Sequence, residues 1–120
     1  MNKIITVNIP ENQLVKVYLN LWNGILGLTE KEILITEALI SKYLELKKVI
    51  ADEKYLYEIL FSTQSLKEIR TKVDIKEAML NNYKSKLKDK RVLLMDDDGN
   101  YSLDERVIPV KEITFRFDTI

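Results

Sequence analysis

Apolar and polar positions change their period several times along this chain, and each change marks an element boundary. From Lys3 to Ile9 they alternate, with Ile5, Val7 and Ile9 on one side and Ile4, Thr6 and Asn8 on the other. Period two closed by Pro10 predicts a short strand over about 3–9. From Glu11 the spacing becomes helical. Leu14, Val17, Tyr18, Leu21, Trp22 and Ile25 form the inward row of an amphipathic helix that ends near Leu26, where Gly24 and Gly27 stand. Thr29-Glu30-Lys31-Glu32 is a capping box. It opens a helix to about Lys48, with Ile33, Ala38, Leu39, Tyr43, Leu44 and Leu46 inward. Asp52 then caps a shorter helix carrying Tyr55, Leu56, Ile59, Leu60 and Phe61.

The next stretch is the most informative. Ser65 is placed to cap a short helix over 66–73 with Leu66, Ile69 and Val73 facing in. A brief turn through Asp74 leads to a longer amphipathic helix from about Lys76 to Lys90. Ile75, Ala78, Leu80 and Leu87 sit at its internal positions, the small Ala78 suiting a close approach of the two helices. Short helix, tight turn and longer helix make a helix-turn-helix over about 65–91. Val92 to Met95 then reads as a strand, Asp98-Gly99 as a two-residue hairpin turn, and Tyr101 to Leu103 as the returning strand. Beyond it, Ile113, Phe115 and Phe117 alternate with Thr114, Arg116 and Asp118, predicting a terminal strand over about 112–118 that either pairs with the first or is an edge open to another copy or another protein.

The segment from Ser65 to Leu103 resembles the helix-turn-helix and wing of bacterial and phage winged-helix proteins, a superfamily dominated by transcriptional regulators. The likeness rests on Ile75, Glu77-Ala78, Asn81-Asn82, Leu87 and Lys90, with departures at Lys76, Lys84 and Arg91, the last standing where Gly is usual. The resemblance implies an α+β, mostly helical winged helix-turn-helix domain spanning 1–120, extended by an N-terminal strand and helix and by a C-terminal strand. It also implies a helix that enters the major groove of double-stranded DNA. Lys76, Met79, Asn82 and Tyr83, with Asn81 and Lys86 next, are then candidates for base edges. Lys67, Arg70, Lys72, Lys84, Lys88, Lys90 and Arg91 are candidates for phosphate contacts.

Charge sharpens this picture from both sides. The 19 basic and 19 acidic residues cancel, so any phosphate-binding excess must be local. It is: between Ser65 and Arg91 there are nine Lys or Arg against four Asp or Glu, which leaves the rest of the chain at minus five. Against this stands Asp96-Asp97-Asp98 at the hairpin tip, three carboxylates where a wing would approach phosphate. Asp96, Asp98, Gly99 and Glu105 match the third, fifth, sixth and twelfth places of a calcium loop, but Leu94 occupies the first and the flanks read as strands. The turn accounts for them.

Without Cys or His the chain lacks thiolate chemistry and the commonest general base and zinc ligand. Its glycines are isolated and its paired carboxylates lie on turns, so the expectation is no enzyme, no cofactor and no metal. No apolar run reaches a membrane span and no secretory signal opens the chain, which predicts a cytoplasmic protein, or a virion component if phage-encoded. Two functions follow. The first is a dimeric DNA-binding regulator of phage or bacterial type; the helix from Glu11 to Leu26, with Tyr18 and Trp22, is either core or a surface for a dimer or another partner. The second is a phage structural or assembly protein, a connector or ring component, whose winged-helix module holds other phage proteins or further copies of itself.

Overall fold

The computed structural model describes residues 3–112 and 118. The protein is α+β and mostly helical: among the described residues, five helices and one two-stranded antiparallel hairpin share a single apolar core. Residues 3–10 form no strand. Ile4, Ile5 and Val7 stand exposed, because a strand exists only where its backbone groups find a partner and none of the described residues pairs with them. The expected terminal partner, residues 113–117, lies outside the described residues.

A 3₁₀ turn, Glu11–Gln13, leads into α1, Leu14–Leu26. Gly27 ends α1 in the left-handed conformation (φ 64°), donating to the Asn23 carbonyl. The row predicted to face inward is only half right. Tyr18, Leu19 and Leu26 are buried with Val15 and Trp22 beside them, whereas Leu21 and Ile25 face solvent. α1 carries two apolar rows, and spacing alone does not say which one meets the core.

α2, Glu30–Lys47, is the central element; α1, α3 and α4 all pack on it. Its capping box forms as predicted, Glu32 N–H donating to Thr29 Oγ1 (3.3 Å) and Thr29 N–H to Glu32 Oε1 (2.8 Å). Ile35, Leu39 and Ile40 are fully enclosed, which is expected of a helix covered on three sides. α3, Glu53–Leu60, is capped by Asp52. α4 spans Thr63–Val73, one turn earlier than predicted: Ser62 is the cap, and Ser65 is the residue whose amide it accepts.

Between α4 and α5, Glu77–Asp89, the chain turns through Asp74 in the left-handed region (φ 55°), with Asp74 and Ile75 N–H both donating to the Arg70 carbonyl. Leu80 and Leu87 anchor α5 in the core. Ala78 is exposed and does not sit between the helices. α5 ends in a Schellman motif: Val92 N–H donates to the Leu87 carbonyl and Arg91 N–H to that of Lys88. That motif needs a left-handed residue, and Arg91 takes it (φ 61°).

β1, Leu93–Met95, and β2, Tyr101–Leu103, pair with Leu93 opposite Leu103. The connection is a three-residue loop, Asp97 to Gly99, closed by Asp96 N–H donating to the Asn100 carbonyl. The two-residue turn expected at Asp98-Gly99 requires positive φ at both positions; only Gly99 has it (φ 83°). A second 3₁₀ turn, Glu105–Val107, returns Val107 to the core.

A left-handed Arg costs about 1 kcal/mol that Gly does not. Replacing Arg91 with Gly should therefore raise unfolding stability by about 0.5–1 kcal/mol with an unchanged denaturant m-value, as read by urea unfolding.

Candidate functional site

The side chains predicted to act lie on α4, α5 and the start of the hairpin, and the orientation of α5 decides which of them reach solvent. That orientation is set from its C-terminal end. The Lys90 ammonium donates to Glu32 Oε1 (2.6 Å) and to the Gly27 carbonyl (2.9 Å). Glu32 is 1 % exposed, so one carboxylate oxygen holds both the cap of α2 and the last residue of the α5 turn. Lys31, one residue earlier, donates from Nζ to the Val73 carbonyl at the end of α4 (2.8 Å), where the helix dipole favours a cation. The first turn of α2 thus holds the C-terminal ends of both α4 and α5.

Burial pushes the Glu32 carboxyl upward, but the hydrogen bonds from Lys90 and Thr29 outweigh it and leave it below the ordinary glutamate value. At the hairpin tip the Asp96 carboxyl is also lowered. Its first cause is the Asn100 amide, which donates to Oδ1 at 2.8 Å, with the Asp98 amide and the Lys54 charge adding to it. The base of the loop faces α3: Lys54, Tyr57, Glu58 and Phe61 line a cleft of about 360 Å³ with Asp96, Asn100 and Tyr101.

Rotated this way, α5 presents Ala78, Asn81, Asn82 and Ser85 to solvent at helical spacing, ending at Asp89. Lys76, Lys86 and Lys88 stand exposed around this strip, with Met79 44 % exposed. Of the expected base-edge residues, Lys76, Met79, Asn81, Asn82 and Lys86 therefore reach solvent. Tyr83 is half-buried against the core, with the Lys86 ammonium 5.4 Å over its ring. Lys84 is half-buried, its ammonium 5.4 Å over the Tyr101 ring, so its stem packs and its charge meets a ring face. Lys90 is engaged with Glu32.

The α4 cations lie apart from this strip. Lys67 and Lys72 share shallow clefts with Glu68, and Lys72 also with Glu45 of α2; no α5 residue lines either cleft. Arg70 is half-buried. Arg91 is exposed at the base of the hairpin, where its carbonyl accepts from Arg106, itself paired with Asp104 (3.1 Å).

Sequence reasoning overlooked Ser85 and misplaced Ala78, since it sought charge and hydrogen-bonding capacity rather than the geometric centre of the outer face. It recognised Glu32 only as a cap; nothing local announces that a residue 58 positions later completes the site. Among the described residues no helix is long and apolar enough to cross a membrane, and no group of three acidic side chains is placed to hold a metal ion. No family model, no curated protein and no solved structure matches the chain.

A carboxylate held below its ordinary value contributes stability that is complete above the unfolded value, near 4.5 for Glu, and is lost as the pH falls through the lowered folded value. Glu32→Gln should therefore be less stable than the native protein at neutral pH, with the gap narrowing as the pH is brought below 4.5. Denaturant midpoints measured across that range check this. A gap that stays constant would show that Glu32 titrates alike in both states.

Proposed function

We propose that this protein is a winged-helix DNA-binding protein of the regulator type that reads double-stranded DNA with α5. The observation that carries the reading is the outer face of α5, where Ala78, Asn81, Asn82 and Ser85 form a row that ends at Asp89, with Lys86 and Lys88 on either side and Lys76 and Glu77 at its start. Small and amide side chains let a helix lie close to base edges, and Asn can pair bidentately with adenine. Lysines at the border meet phosphate and fix the register. The order α4, turn, α5, hairpin supports the same reading, because the β1–β2 hairpin follows α5 as a wing follows its recognition helix. Of the three tip carboxylates, Asp96 lines the cleft against α3 near Lys54, whereas Asp97 and Asp98 stand exposed. In this reading the phosphate contacts come from Lys76, Lys86, Lys88 and Arg91. Lys90 serves by holding the helix.

A second reading is favoured by one specific observation. β1 leaves Leu94 and Met95 exposed beside the carboxylates of the loop, a mixed apolar and acidic edge suited to a protein partner. On that reading the chain is an assembly component of phage type, and the hairpin is its contact.

The two separate cleanly in a salt titration. Duplex DNA should bind with an affinity that falls steeply with salt, and Lys76→Ala, Lys86→Ala and Lys88→Ala should each lower the slope by about one. Asn82→Ala should instead narrow the gap between preferred and random duplex by about 1–3 kcal/mol while leaving the slope alone. Fluorescence anisotropy reads both. No duplex affinity even at low salt would overturn the DNA reading.

A further inference from the structure

Helical spacing divides the outward side of α5 into a centre and two borders. Ala78, Asn82, Ser85 and Asp89 form the centre, opposite the buried Leu80 and Leu87. Asn81 adjoins the centre on one side, with Glu77 and Lys88 beyond it; Met79 and Lys86 border it on the other. The centre holds no cation. The Lys86 ammonium is drawn 5.4 Å over the ring of Tyr83, which packs on the core, and no Arg stands between Lys76 and Lys90.

Each base asks for a different partner in the major groove. Guanine presents two acceptors and is met by paired donors, most often from Arg or Lys. Cytosine presents a donor and suits a carboxylate. Adenine presents the acceptor N7 beside the donor N6, the complement of a side-chain amide, and thymine adds an apolar methyl. An amide turned to guanine would set its oxygen against O6, acceptor against acceptor. Two amides, Asn81 and Asn82, and two apolar side chains, Ala78 and Met79, occupy the N-terminal half of α5. That is the half that meets base edges in helix-turn-helix docking. The central carboxylate, Asp89, stands at the far end.

Resting on the DNA reading above, we infer that α5 selects A·T base pairs. Asn82, with Asn81 beside it, takes adenine N7 and N6, and the Ala78 methyl and Met79 pack on thymine methyls. Ala78 to Ser85 covers roughly 10 Å of helix, about three base-pair steps of 3.4 Å, so the selected run is about four base pairs for each α5. The lysines at the borders take the phosphates on either side of it.

Selection by the native chain from a pool of duplexes randomised at the centre, at low salt, tests it. The selected duplexes should share a short run of A·T pairs. Replacing their adenines with 7-deazaadenine, which carries C–H in place of N7, leaves the amide donors without partners and should weaken binding by roughly 5- to 150-fold. Replacing thymine with uracil, which removes only the methyl, should cost about fourfold per contact. The double variant Asn81→Ala/Asn82→Ala, its fold checked by circular dichroism, should bind the adenine and 7-deazaadenine duplexes equally. Salt-dependent binding without base preference, or a selected run rich in G·C, overturns the A·T assignment and leaves the DNA reading standing. So does an A·T preference indifferent to 7-deazaadenine, because it would come from groove shape instead of α5. No duplex binding at low salt removes the DNA reading and this assignment together.

Discussion

One carboxylate oxygen, Glu32 Oε1, holds together parts of the chain that are far apart in sequence. It accepts the Thr29 amide, which starts α2, and the Lys90 ammonium, which follows α5; the same ammonium reaches the Gly27 carbonyl at the end of α1. Three helix termini meet at this point. Because Glu32 is enclosed, its charge must be met within the protein, and a buried carboxylate deprived of its cation is costly. The exchange is favourable here because the partner is partly solvated: the Lys90 side chain is 32 % exposed, so it brings charge to the site without full desolvation.

From that constraint the rest of the molecule follows. With the end of α5 fixed against α2, the Schellman motif directs Val92 into the core, and the hairpin starts at a defined angle. With Leu80 and Leu87 inward, Ala78, Asn81, Asn82 and Ser85 must be outward. Tyr101 returns from the hairpin to pack on Phe61 (ring centroids 5.7 Å apart) and beneath the Lys84 ammonium, joining the hairpin to α3 and to α5. The outward face of α5 thus depends on Leu80 and Leu87 and on an ion pair at the end of the helix.

What the sequence made legible was mostly local. The capping box at Thr29, the Asp52 cap, the α5 boundaries and the hairpin each depend on residues within a few positions of one another, and each formed. What it hid was of two kinds. Where a helix has two apolar rows, as α1 has, choosing the inward one requires knowing its neighbours, and Leu21 and Ile25 were placed on the wrong side. Where a side chain has a distant partner, its type misleads: Lys90 reads as one more cation of a basic run but is a structural counter-ion, and the alternating residues 3–9 read as a strand that no described residue pairs. The cap of α4 was missed by one turn because Ser62 and Ser65 are equally plausible on type alone.

The measurement that tests the account most directly is a double-mutant cycle on Glu32→Gln and Lys90→Met, read by urea unfolding at neutral pH. If the pair is the junction described, each single change destabilises the protein and the two couple by about 2 kcal/mol or more. Additivity within about 0.5 kcal/mol would mean that the two side chains act separately, and the central claim would fail.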